Sequence, residues 1–204
     1  MLYLLLGNSG SGKTTIRNIL EKRGLKKIIT YTTRPIRPGE KDGVDYNFIN
    51  REKFLNLYNR GEFIGPTKYA GNFYATLKED LFKACSLKED ALIIVDQFGV
   101  KEIKKEFPHA TCIYLYVDEN LLKDRMEKRG DKEDSINERL KDLFDYTPLC
   151  DYKIDSSGDA ENVSKEIEKI IKNGRSERIW TSGFMVPNHA RYQTALHPDI
   201  KYIL

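Results

Sequence analysis

Cysteine is scarce in this chain, with only Cys85, Cys112 and Cys150 among 204 residues. The odd number and wide spacing exclude a disulfide framework and a zinc cluster. Two of the three fall in segments that read as a helix and a strand, where a thiol behaves as a small apolar side chain of a reducing compartment. Long apolar runs are also missing. Met1-Leu2-Tyr3-Leu4-Leu5-Leu6 is far too short to span a membrane, and it has neither a basic leader nor a small-residue cleavage site. An excess of one charge is absent as well. Thirty-four basic residues stand against 31 acidic ones, a net charge of +3 spread along the chain, which argues against a broad nucleic-acid or membrane surface. His189 and His197 have no carboxylate pair beside them, so no histidine metal site is expected. The expectation is a cytoplasmic protein with one buried core, a monomer or homodimer, with no nucleic-acid or membrane partner.

What the chain does contain is Gly7-Asn8-Ser9-Gly10-Ser11-Gly12-Lys13-Thr14-Thr15, directly after the apolar run and before Ile16, Ile19 and Leu20 on one helical face. This is a phosphate-binding P-loop between a strand and a helix. Its glycines let backbone N–H groups curl inward around phosphate oxygens, and the following helix adds the positive end of its dipole. Lys13 can reach the β- and γ-phosphates of ATP, and the Thr14 hydroxyl can ligate Mg²⁺.

Strand-like runs at 1–6, 27–30, 91–96, 111–117 and 152–154 alternate with helical patterns, the clearest over 160–172 and a shorter one over 100–107. That alternation predicts a three-layer α/β core around a five-stranded parallel sheet. Residues 31–76 are turn-rich and read as an inserted lobe. Residues 119–146, with mixed charges around Gly130-Asp131-Lys132-Glu133-Asp134, read as a mobile lid. The core is thereby assigned to 1–30, 77–118 and 147–172. Residues 173–204, with Trp180, Phe184, Tyr192 and Tyr202, form an extension without periodicity, read as a packing or dimerisation element, with a partner-binding segment or a cover over the acceptor lobe as the alternatives.

Arg34 and Arg37 lie three apart in the lobe, with Tyr46 and later Tyr74 following. Guanidinium forks match phosphate oxygens and a phenol adds a neutral donor, so these residues suit a phosphomonoester; a solvated, proline-braced basic turn is the alternative. The blocks GNSGSGKTT, TTRPIRPGEKDGVDYNF, GEFIGPTKYAGNFYAT and RMEKRGDKEDSINERL, in this order over about residues 1–172, closely resemble guanylate kinases. The resemblance implies a P-loop kinase core with an acceptor lobe and a lid, passing a phosphoryl group from ATP to GMP or dGMP with Mg²⁺.

It further implies that Arg34, Arg37, Tyr46 and Tyr74 hold the acceptor phosphate and that Thr30, Thr76 and Asp96 contact the acceptor nucleotide. Arg125, Arg129 and Arg139 would converge on the transferred group. Each has a local alternative: Thr76-Leu77-Lys78-Glu79 also reads as a capping box, Asp96 as a cap, and the arginines as helix-end charges. Two departures from the family bear on the acceptor base. Its base-recognising glutamate is replaced by Gly65, and the first acid of its Asp-x-Asp stretch by Ile94. Two other readings therefore stand beside guanylate kinase: a P-loop kinase with a changed acceptor, another purine monophosphate or a sugar phosphate, and a non-catalytic binding module of the same fold.

Overall fold

The first strand, β1 (Leu2–Leu6), is apolar at every position and buried along its whole length, as a strand covered on both faces must be. Its residues alternate between two layers. Leu2, Leu4 and Leu6 cluster with Leu81, Val100 and Ile103, whereas Tyr3 and Leu5 cluster with Ile16, Leu20, Val163, Ile167 and Ile171. A side-chain period of two thus feeds two cores, one on each side of the sheet.

The computed structural model describes residues 1–69, 71–86 and 89–176. After β1 come α1 (Lys13–Lys22), β2 (Lys26–Lys27), β3 (Tyr31–Thr32), β4 (Asn47–Phe48), α2 (Arg51–Asn59), β5 (Phe63–Tyr69) and β6 (Asn72–Leu77). Then follow α3 (Lys78–Ser86), β7 (Ala91–Ile94), α4 (Gln97–Glu106), β8 (Thr111–Tyr116), α5 (Glu119–Lys128), α6 (Glu133–Lys141), β9 (Tyr152–Asp155) and α7 (Ala160–Ser176). Five strands form the parallel core sheet in the order β2-β7-β1-β8-β9, with Leu4 opposite both Ile93 and Cys112. Helices α1 and α7 cover one face, α3 and α4 the other. The chain goes to one side of β1 for β2 and β7 and to the other for β8 and β9. Loops leaving the carboxyl ends of the strands therefore diverge around β1 and open a crevice there.

A second, four-stranded sheet, ordered β4-β3-β6-β5, is built from residues 31–77, with β3 parallel to β4 and antiparallel to β6. Its core is aromatic: Phe54 of α2 packs tilted against Phe63 and stacks on Phe73, at ring-centroid distances of 4.7 and 5.3 Å. Helices α5 and α6 share a cluster of their own, Val117, Leu122, Met126 and Ile136.

Four elements differ from their sequence expectation. The strand expected over 27–30 is paired in the core only at Lys26–Lys27; Ile28 N–H still donates to Leu92 O at 3.0 Å, after which the chain crosses to the second sheet. The helix expected from residue 100 begins at Gln97, because the Asp96 carboxylate caps it by accepting from Phe98 N–H and Gly99 N–H. The last helix continues past residue 172 to Ser176. Thr76 does not form a capping box, since it lies inside β6 opposite Ile64 and the helix starts only at Lys78. Trp180, Phe184, His189, Tyr192, His197 and Tyr202 lie outside the described residues.

Ile167 is fully buried between α7, α1 and the sheet. Ile167→Ala is expected to lower unfolding stability by about 2–5 kcal/mol, seen as a shifted denaturant midpoint at unchanged slope. An unshifted midpoint would contradict the two-faced core.

Candidate functional site

The amino end of α1 differs from those of α2, α4 and α5. Those three are capped by the side chains of Asn50, Asp96 and Asp118, whereas the cap position of α1 is Gly12, in the left-handed region and offering no side chain. The first turn of α1 therefore presents amide N–H groups to an outside acceptor. The loop before it is tightly drawn. At Gly7 (φ +149°) a Cβ would lie 2.4 Å from Ser11 Oγ and 2.8 Å from Leu115 O, so no side chain is compatible with this path.

Around this helix end lies a cleft of about 1180 Å³. Gly7, Asn8, Ser9, Gly10, Gly12, Lys13, Thr14 and Thr15 line it from the core. Thr30, Arg34, Arg37, Tyr46, Tyr74, Thr76 and Asp96 line it as well, as do Arg125, Arg129 and Arg139. Ser11 does not line the cleft. It is buried beneath the loop, where its carbonyl accepts from Ser156 Oγ at 2.9 Å.

Lys13 Nζ donates to Gly7 O at 2.6 Å and Asn8 O at 2.7 Å, and no carboxylate faces it in an ion pair among the described residues. Burial, together with the charges of Arg129 and Arg139, pushes its pKa down to about 7. Those two arginines approach the loop from α5 and α6. Arg139 donates to Ser9 Oγ at 2.9 Å and to Asp131 at 3.0 Å. Arg129 is paired with the same Asp131 and reaches Ser9 Oγ at 3.4 Å. Hydrogen bonding from Arg129 and the charges of Arg129, Arg139 and Arg37 hold the Asp131 carboxyl below its usual range. Arg37 in turn is lowered by burial and by Arg34, Arg139 and Arg129. Cations from three separate elements thus meet at one place, a chemistry suited to a polyphosphate.

Arg125 is placed differently. Its guanidinium donates to Ser156 O at 2.9 Å and Ser157 O at 3.1 Å, tying α5 to the end of β9. On the other wall, Arg34 is largely buried, binds both Glu40 oxygens at 2.7 and 2.9 Å, and lies over the Tyr46 and Phe48 rings. Tyr46 and Tyr74 meet edge to face at 6.2 Å. Arg17 of α1, also buried, reaches Asp45 at 3.4 Å and links the helix to this wall.

The guanylate kinase family model matches residues 1–174. The chain belongs to the guanylate kinase family. It is 33% identical over 177 residues to the guanylate kinase of Legionella pneumophila (strain Paris), covering 83% of this chain and 84% of that protein. It is 32% identical over 204 residues to that of Carboxydothermus hydrogenoformans, covering 98% and 97%. The crystal structure of guanylate kinase from Anaplasma phagocytophilum superposes with a TM-score of 0.65 at 26% identity, covering 88% of this chain and 87% of that one. As a family member the chain is a phosphotransferase.

Three contributors to the site escaped the sequence reading: Asp131, Glu40 and Arg17. Glu40 and Asp131 stand close to the arginines they pair with and were legible in principle as counter-charges. Arg17 carries no local signal, because its partner is 28 residues away.

The departure from the family at Gly65 has a structural cause. Its φ is +59°, and a Cβ there would lie 2.8 Å from Gly99 Cα, so β5 rests directly on the first turn of α4. Gly65→Glu is expected to cost at least about 1–3 kcal/mol of stability and to leave acceptor affinity unimproved, measured by thermal melts and GMP titration. Normal stability with tighter GMP binding would contradict this geometry. A second expectation concerns Lys13. Above pH 7 its amine is largely neutral in the free protein, and a bound polyphosphate restores the charge. ATP binding should therefore take up close to one proton at pH 8–9 and little at pH 6, in calorimetry across buffers of differing ionisation enthalpy, and Lys13→Ala should abolish the uptake.

Proposed function

We propose that the protein transfers the γ-phosphoryl group of ATP to GMP or dGMP, giving ADP and the nucleoside diphosphate. Family membership and the joint lining of one cleft by the glycine-rich loop, the Arg34–Tyr46–Tyr74 wall and the Arg129–Arg139 pair support this reading. The loop amides and Lys13 hold the donor phosphates. Arg34, Arg37, Tyr46 and Tyr74 hold the acceptor phosphate, with Thr30, Thr76 and Asp96 along the nucleotide. Asp96 does this while its Oδ1 caps α4.

The acceptor phosphate is mostly ionised near neutral pH, its second pKa being about 6, so no general base is needed. One of its oxygens attacks the γ-phosphorus in line while the bond to the β–γ bridging oxygen breaks. The main requirement is to bring two polyanions together, and positive charge held in advance meets it. Arg129 and Arg139 leave Asp131 for the transferring group, and residues 119–146 act as the lid that carries them. Arg125, bound to backbone carbonyls, positions α5 instead.

The residues present fit Mg²⁺ as an ion that arrives with the nucleotide. Thr14 offers one exposed hard oxygen at the helix end, and among the described residues no group of three or more His, Cys, Asp or Glu could cage a metal. When bound, the ion would neutralise charge on the β- and γ-phosphate oxygens, with Thr14 as its protein ligand. No described helix is long and apolar enough to cross a membrane, and the three free cysteines fit a cytoplasmic setting.

ADP release from Mg·ATP against a panel of ribo- and deoxynucleoside monophosphates tests the reading. Turnover with GMP and dGMP is expected, with a drop of about 10²–10³-fold in kcat for Lys13→Ala at retained fold. Turnover confined to another acceptor would move the reading to a kinase of changed specificity. ATP-independent partner binding without turnover would support a non-catalytic module.

A further inference from the structure

Because no side chain can stand at Gly65, the lobe cannot supply the acceptor base with a carboxylate from that position. Tyr146 lines the same cleft as Gly65, Thr76 and Asp96. It closes the stretch read from sequence as the lid, but it packs into the main core cluster with Tyr114 and so belongs to the core side of the cleft. Only 8% of the residue is exposed, and its ring is braced by Tyr114 at 5.3 Å and Phe144 at 4.9 Å.

The backbone that carries it is fastened to the glycine-rich loop. Asn8 Nδ2 donates to Phe144 O and Phe144 N–H donates to Asn8 Oδ1, both at 3.1 Å, while Tyr146 O accepts from Leu149 N–H at 2.9 Å. Burial and then the Asp96 carboxylate and Tyr69 raise the pKa of the phenol, which therefore sits within electrostatic reach of Asp96 and stays protonated through the working pH range. Among the described residues its hydroxyl has no hydrogen-bond partner. Its ring is packed away while the residue lines the cleft, so a hydroxyl without a protein partner is available to an acceptor on a ligand bound there.

We propose that Tyr146 determines specificity for the acceptor base, its O–H donating to the 6-oxygen of an oxopurine while Asp96 accepts from N–H groups on the same edge. An ionised carboxylate can only accept and this protonated phenol can donate, so the pair complements a carbonyl next to N–H donors. Adenine presents the opposite order, an amino group next to a ring acceptor, and would place that ring nitrogen against the carboxylate. The inference rests on the nucleoside monophosphate kinase reading above.

The test is calorimetric titration of the full chain and of Tyr146→Phe with GMP, IMP, AMP and ATP, alongside steady-state turnover. GMP and IMP share the 6-oxygen, and both should lose affinity about ten- to hundredfold in the variant, while AMP and ATP remain within twofold. Unchanged GMP affinity, or equal losses for GMP and AMP, would overturn the base contact; an unaltered melting temperature shows that the variant is folded. Binding and turnover separate the two readings. GMP that binds, loses affinity in the variant and yet is never phosphorylated sinks the kinase reading alone. Normal turnover with an unmoved GMP-to-AMP ratio sinks the base contact alone, and a chain that binds no GMP sinks both.

Discussion

Unneutralised positive charge at the amino end of α1 is the constraint around which the rest of the structure is arranged. Lys13 touches carbonyl oxygens and a hydroxyl, the helix behind it has no side-chain cap, and burial, joined by the nearby cations Arg129 and Arg139, lowers its pKa to about 7. Like charges gathered in one place repel, and Lys13 is held there by carbonyl and hydroxyl groups that cannot neutralise it. Asp131 answers part of the demand, for two of the arginines. The folded chain therefore has its lowest electrostatic energy with a polyanion in the cleft, and ligand charge becomes part of the architecture.

Such an arrangement needs rigid supports of different origin. Lys13 is placed by a loop too tight for a side chain at Gly7. Arg129 and Arg139 sit on two helices that share the Leu122–Met126–Ile136 cluster, so their separation is fixed even if the pair moves as a unit. The lobe is joined to α1 through the Arg17–Asp45 pair, whose members are both largely withdrawn from water. Removing one partner of such a pair leaves the other charge stranded, which makes the link more consequential than an exposed salt bridge.

The five-stranded core was legible because β1, β7 and β8 are apolar runs separated by helical periods. The second sheet was not, because β3 and β4 are two residues each and carry no alternation that a period could reveal. The glycine-rich loop was readable from spacing alone. Asp96 and Thr76 each carried two readings from sequence, and both residues line the cleft. Asp96 caps α4 and lines the cleft as well, while Thr76 belongs to a strand. Arg125 looked identical in kind to Arg129, four residues on. Its carbonyl partners come from Gly10 of the glycine-rich loop and from residues 156 and 157, which no local pattern announces.

The contact between Gly65 and Gly99 shows how one backbone approach can redistribute recognition. Two glycines let β5 settle onto the first turn of α4, and Asp96 caps that same turn. The strand-to-helix contact and the cap thus fix the carboxylate relative to the lobe, at the cost of any side chain from residue 65. A base in this cleft must then be read from the core side, by groups whose positions derive from the main sheet and the glycine-rich loop. Asn8 is the connection that makes this workable: its amide fastens the segment carrying Tyr146 to the loop that holds the phosphates. Phosphate binding and base recognition consequently share one rigid frame, and a shift in either must be felt by the other.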